Sequence, residues 1–502
     1  MSIRPMIQGF GPLNTSSGSW KRFSEGLFLY THGMPLYDND IFHQSPLLLP
    51  VFALIPPWCH PHVFVALDLA IAVALYSIAH RQPHLEPLAH LPTSPPLKSL
   101  RQPTYTDGHD IHDGQDQPAH DIVLVDRCGG GLAWTPTLVS LAFLFNPLSI
   151  LSCLAMDLGA IERFSLAVGA ATASHGDSIW SSLLLAVAFQ HGGGLHTLCF
   201  IPILALIQRR ATQLSGMALI PGMTIQVGAW LGVCAMLYVQ IMGLDVATIA
   251  KATIGFGLHV TDLAPNIGVW WYFLQEVFEH FRDLFVFVFQ AHVLLYIVPV
   301  LMRFGKELPI FSLTVYLGVT ATLRAYPSVG DYALWFAFIP LYANTWKYYR
   351  YSFLSLTLFL FTSLLFPTMY LLYSHLHSGN ANFPYALTLL VCAAATMMQS
   401  DVLHGMLVRT HSSTVKHEVA RRVQRAVLEM DDESGDEDVH EVDAGVAADQ
   451  EKATDGGLRN RGAPASKKEA KQAGAAEDMA EKDKAEVEPF GDYPSVVMYF
   501  EE

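Results

Sequence analysis

Phe353-Leu-Ser-Leu-Thr-Leu-Phe-Leu-Phe-Thr-Ser-Leu-Leu-Phe-Pro-Thr-Met-Tyr-Leu-Leu-Tyr373 runs from end to end without a charged residue. That is about the 20 residues an α-helix needs to cross the hydrocarbon core of a bilayer. Comparable apolar runs recur at Val63–Ala79, Ile225–Leu244, Leu284–Met302 and Phe383–Leu403. They are rich in Leu, Phe, Val and Ala and lack the strict alternation of a barrel strand, so backbone satisfaction in lipid demands helices. The expected fold class is all-α, a polytopic transmembrane helical bundle. Composition agrees, with 51% hydrophobic and 15% charged residues against roughly a quarter charged in soluble domains.

Two segments fit a plain crossing poorly. Pro46–Pro57 is short and broken by Pro50, Pro56 and Pro57, and Ser174–Gly194 is interrupted by Gly and His. Re-entrant or tilted pieces buried against protein are expected there.

The remaining organisation follows charge. Residues 1–408 read as the membrane domain, interrupted by a polar insertion at His80–Gly131 rich in His, Pro, Asp and Gln. Residues 409–502 read as a disordered acidic tail on the cytosolic side, which carries most of the net charge of −15. Basic residues at Arg209/Arg210, Arg303/Lys306, Lys347/Arg350 and Arg409/Arg421/Arg422 occupy alternate turns and assign those turns to the cytosol. Asp245–Asp283, Arg324–Asp331 and His375–Pro384 then face the lumen. Met1–Gly18 has no apolar core of a signal peptide, so targeting is expected from the first internal span.

The luminal connections hold the distinctive polar residues. In Thr261–Phe281, Asp262, Pro265, Asn266 and Gly268 have turn chemistry. A helix following them would align Trp271 or Tyr272, Glu276, and Glu279/His280 on one stripe. Such a helix suits the luminal interface, either holding a lipid's polar head or serving as an anchor whose Glu276, Glu279 and His280 face water. Arg324 and Asp331 flank a Pro/Gly turn at a span's end, and Arg324 either pairs with Asp331 or reaches a lipid phosphate. Asn380 and Asn382 suit turn and cap duties.

Other motifs read as bland. Asp38-Asn-Asp40 has the Asp-x-Asp pattern of metal-dependent sugar transferases, or is a solvated turn. The Asp107–Asp113 run of His and Asp lacks the spacing of a structural metal site. Six cysteines without a CxxC pair suggest packing, not disulfides. No nucleophile elbow is present. Neither a metal nor a cofactor is expected, and nucleic acid is not an expected partner.

Several segments together resemble the phosphatidylinositol-glycan class U family, a subunit of the glycosylphosphatidylinositol (GPI) transamidase. They are Ser19-Trp-Lys-Arg22 with Glu25-Gly26, Phe42-His43 with Ser45-Pro-Leu-Leu48, Asn146-Pro147 with Ile150-Leu-Ser-Cys153, Asp262–Phe281, Tyr326-Pro327 with Val329–Leu334, and Ser378-Gly379 with Asn380–Ala386. The resemblance implies a non-catalytic, multi-pass subunit in the endoplasmic reticulum membrane. Its partners would be the class K, T and S subunits and the GPI-anchor attachment protein, with catalysis in the caspase-like cysteine protease subunit. It would help present the GPI lipid, with Asp262, Asn266, Trp271, Tyr272, Glu276, Glu279, His280, Arg324, Asp331 and Asn380 as candidate contacts and no catalytic residue. The family's fold is similar to the membrane part of lipid-linked-sugar glycosyltransferases, so a dolichyl-phosphate-mannose-dependent mannosyltransferase is the alternative. Family members usually begin with a span upstream of Ser19, and none is found here.

Overall fold

The computed structural model of the chain describes residues 7–38, 41–86, 135–192, 194–213 and 219–436. Asp40, the polar insertion from residue 87 onward, and the acidic tail beyond residue 436 lie outside the described residues. Every regular element among the described residues is helical.

Local chemistry sets the helix ends. Ser19 starts α1 (Trp20–Thr31), its hydroxyl accepting from the Arg22 N–H. Prolines on either side confine α2 (Leu48–Leu54) to seven residues. α3 (His60–Leu85) is a full span. α4 (Pro136–Leu144) and α5 (Pro147–Ala155) form one apolar stretch bent by 50°, where Asn146 caps α5 and Pro147 occupies its first turn. α6 (Gly159–Ser174), α7 (Ser178–Gly192) and α8 (Phe200–Thr212) are all shorter than a standard span. They are followed by α9 (Leu219–Met242), α10 (Trp270–Glu276), α11 (Glu279–Leu295), α12 (Pro309–Leu323), α13 (Val329–Phe338), α14 (Ser352–Ser374) and α15 (Asn382–Asp436).

Among the described residues, five helices are long and apolar enough to cross a membrane: Pro57–Leu85, Leu219–Ile241, Glu279–Gly305, Ser352–Ser374 and Asn382–Ser412, with the α4–α5 pair a sixth if counted as one span. The five overlap the apolar runs of the sequence. Their outward faces carry large exposed side chains, including Val73, Ile225, Phe287, Phe353 and Leu364. Water would not tolerate so much contiguous apolar surface, whereas acyl chains match it. The fold class is therefore an all-α polytopic bundle.

Its centre is α12, which is buried at every position from Pro309 to Thr322. A helix that is apolar all round must be covered all round. Side chains of α3, α6, α8, α13 and α15 join α12 in one apolar core. The Gln399 amide of α15 also donates to the Val315 carbonyl at 3.1 Å.

Polar residues close the bundle at both ends. At one end Glu86 accepts from the Phe311 N–H at 2.9 Å and the Tyr342 hydroxyl at 2.7 Å. Nearby, Asp401 accepts from the N–H groups of Arg350 and Tyr351, each at 2.9 Å. The basic turns expected to face the cytosol meet here.

Candidate functional site

At the opposite end the N-terminal segment is threaded between helix termini. The Gly11 N–H donates to the Tyr370 hydroxyl at 3.0 Å, the Val329 N–H to the Pro12 carbonyl at 3.1 Å, and the Asn14 amide to the Ala155 carbonyl at 2.9 Å. These bonds bring α5, α13 and α14 together around residues 10–14.

Asp262 sits beside this segment and forms an ion pair with Arg22. Its Oδ1 accepts from the Ala264 N–H at 2.9 Å, and the Asn266 Oδ1 accepts from the Gly268 N–H at 2.7 Å, as side chains with turn chemistry do. Burial alone would raise the Asp262 carboxyl; Arg22 and the Ala264 N–H reverse that and hold it below the usual carboxylate range. The Tyr326 hydroxyl donates to the Asp262 carbonyl at 3.0 Å. Its ring stacks on Phe256, which stacks in turn on His43 at 3.9 Å between centroids.

Beneath lies a buried ionic cluster. Arg163 of α6 donates to Asp157 at 2.9 Å, to the Ser328 hydroxyl at 3.0 Å and, more weakly, to Asp331 at 3.4 Å. Arg324 donates to Glu162 at 3.0 Å and stands 3.5 Å from Asp331. His196 lies 3.6 Å from Glu162. Two guanidiniums thus face three carboxylates, and each side chain except that of Asp331 is less than 10% exposed. Ser328 and Asp331 also form a capping box at the start of α13. Gly330 is required by this contact, because a Cβ there would lie 2.4 Å from the Arg163 guanidinium carbon.

A third group is aromatic. Trp271 is 1% exposed and meets Tyr272, Tyr373 and Tyr385. The Tyr272 hydroxyl donates to Asn382, whose own N–H is received by Asn380 at 3.0 Å. The Trp271 indole N–H is buried without an acceptor among the described residues.

The expected single stripe from Trp271 to His280 does not form. Val277 and Phe278 adopt extended backbone, with ψ of 142° and 139°, and divide the segment into α10 and α11. Neither Gly nor Pro marks the break. It lets Phe273 turn edge-on against Phe285 and Phe289 of α11, at 5.0 and 5.2 Å between centroids. Glu279 and His280 therefore begin a new helix, and they and Glu276 are exposed.

The structure thus brings together Asp262, Asn266, Arg324 and Asp331 in one polar end, and Trp271, Tyr272 and Asn380 in an aromatic group. It leaves Glu276, Glu279 and His280 outside both. Arg324 is engaged by Glu162 more closely than by Asp331. Arg22, Asp157, Glu162, Arg163 and His196 were not anticipated. The available signal was Glu162-Arg163 set within an otherwise apolar stretch, since charges at membrane depth require partners. Among the described residues, no group of three or more His, Cys, Asp or Glu side chains is placed to hold a metal ion.

Next to the polar end lies an apolar cleft lined by residues including Phe10, Leu13, Leu151, Ile267, Phe336 and Phe366. It lies between the threaded N-terminal segment, α5, α13 and α14.

Comparison with known proteins follows the same residues. A family model described as GPI transamidase subunit PIG-U matches residues 2–391. The human GPI-anchor transamidase component PIGU is 31% identical over 422 residues, covering 82% of this chain and 90% of that protein. The GPI transamidase component GAB1 of Saccharomyces cerevisiae is 28% identical over 411 residues, covering 81% and 89%. The GAB1 homolog of Schizosaccharomyces pombe is 25% identical over 412 residues, covering 79% and 86%. The segments that meet around Asp262, Tyr326 and Asn382 all fall within the matched span, and the chain belongs to the PIG-U family of GPI transamidase subunits.

Proposed function

We propose that this chain is a non-catalytic subunit of the GPI transamidase of the endoplasmic reticulum membrane, and that it binds and presents the GPI lipid for attachment to proteins. The observation that carries this reading is the apolar cleft lying against the polar luminal end. A lipid with a large polar head needs that pairing, with acyl chains in an apolar slot and the head among polar groups. Ile267 and Val329 line the cleft from the two segments that carry Asp262 and Asn266 and, around the start of α13, Arg324 and Asp331. A headgroup oxygen reaching Trp271 would satisfy its unpartnered N–H. Exposed Glu276 and Glu279 would attract the ethanolamine ammonium.

The ionic residues of this end support a holding role, because they bond to one another. The class K, T and S subunits and the GPI-anchor attachment protein are the proposed neighbours, with bond-making in the caspase-like subunit.

The test replaces the endogenous subunit in cells by Ser363→Trp or Leu151→Trp, which fill the cleft from exposed or partly exposed rim positions. GPI-anchored reporter at the cell surface is expected to fall roughly tenfold, equivalent to about 1.4 kcal/mol of lost lipid binding. Co-purification with the other subunits is expected to persist. Full reporter display with either tryptophan in place would defeat the presenting role and leave only that of a scaffold.

A further inference from the structure

The cytosolic end carries a second concave site, which the luminal reading does not use. It lies where two spans stop, since His84 is one residue short of the end of Pro57–Leu85 and Lys306 directly follows Glu279–Gly305. Between them comes the end of α8 with Arg209 and Arg210. Gly305 allows the close approach, because a Cβ there would sit 2.9 Å from the Leu206 Cδ1. The result is an open hollow lined by residues including His84, Leu206, Arg209, Arg210, Lys306 and Glu307.

Its charges are unbalanced. Arg210 is held in place, donating to the Lys306 carbonyl at 3.0 Å and pairing with the Glu307 carboxylate. The side chains of Arg209, Lys306 and His84 have no hydrogen bond or ion pair among the described residues, although all three border the same hollow. Three full cations thus meet one carboxylate around a concave surface at headgroup depth. Leu206, at the same wall, offers apolar contact to whatever lies below the head.

We propose that this hollow binds a phosphate-bearing anion, and that its natural form is the headgroup of an anionic phospholipid of the cytosolic leaflet. The chemistry follows from position and charge. Basic hollows between helix ends on the cytosolic side attract anionic headgroups, and guanidinium and ammonium groups together match phosphate oxygens. Glu307 competes with the ligand for Arg210.

Full-length protein in detergent is titrated with dioctanoyl phosphatidylinositol 4-phosphate, dioctanoyl phosphatidylcholine and inorganic phosphate, with bound species counted by native mass spectrometry. The inositol lipid is expected to bind at least tenfold tighter than the choline lipid. Arg209→Gln and Lys306→Gln should each weaken it roughly fivefold, the worth of one basic side chain at a membrane surface. Glu307→Gln should tighten binding, an outcome no folding defect imitates, because Arg210 keeps its bonds to the Lys306 and Glu307 carbonyls. Displacement of the lipid by equimolar inorganic phosphate would keep the site and assign it to a soluble phosphate. Equal binding of both lipids, or unchanged binding in all three variants, would overturn the proposal.

Discussion

The two ends of the bundle handle charge in opposite ways. At the end proposed to face the lumen, Asp157, Glu162, Arg163, Arg324 and Asp331 are withdrawn from solvent and bonded to one another. At the end proposed to face the cytosol, the side chains of Arg209 and Lys306 border an open hollow with no partner among the described residues. Taking charges out of water costs several kcal/mol per ion, so the luminal cluster exists only because its members are mutually satisfied. Exposed cations carry no such cost and remain available to a ligand. The contrast separates charge that builds a site from charge that serves one, and it is open to direct challenge.

The largest effect is expected at Arg163. Arg163→Met leaves the buried Asp157 without its cation and Asp331 with Arg324 alone, and should cost about 3–5 kcal/mol, read as a fall in melting temperature of the detergent-solubilised protein. A loss below about 1 kcal/mol would rank the cluster with surface ion pairs and erase the distinction.

Asp262 is intermediate, its side chain 22% exposed. Its folded pKa lies below the unfolded value because of Arg22 and the Ala264 N–H, against the opposing effect of burial. Its contribution is therefore complete at neutral pH, above the ordinary carboxylate pKa of about 4, and vanishes as pH falls through the folded value. Asp262→Asn should cost up to about 1 kcal/mol at pH 7. The gap in melting temperature between the two proteins should close on acidification, whereas a gap that stays constant down to pH 3 would assign the effect to the turn instead of the ion pair.

The smallest effect belongs to the cytosolic hollow, where Arg209→Gln should leave stability within about 0.5 kcal/mol of the parent. A larger loss in the same melting assay would mean that Arg209 is structural after all.

How far these regions could be read from sequence differs for physical reasons. The five long spans were legible because lipid imposes a length and a composition on any helix that crosses it. So were the turns at Asp262 and Asn266, whose side chains bond to N–H groups two residues away. The break at Val277–Phe278 was not, because it is set by aromatic packing of Phe273 on α11 and not by a local breaker. Nor were the partners of Arg324, since Glu162 is 162 residues away in the chain. The bundle interior was also under-read: α12 has only 15 residues and mixes Ser, Thr and Tyr with its apolar residues, so it lacks the signature of an independent span.

That central helix has a consequence for how the protein is made. At about 1.5 Å per residue it extends roughly 22 Å, less than the hydrocarbon thickness, and its Ser312, Thr314 and Thr320 hydroxyls bond to its own backbone. It is synthesised long before α15, which supplies the Gln399 bond to Val315. During biosynthesis α12 can therefore pack at once on α3, α6 and α8, while the side that it turns to α13 and α15 stays uncovered until those helices are translated. Any chaperone or insertase that guards this protein in the membrane would find its client most exposed in the interval between translation of residue 323 and arrival of residue 399.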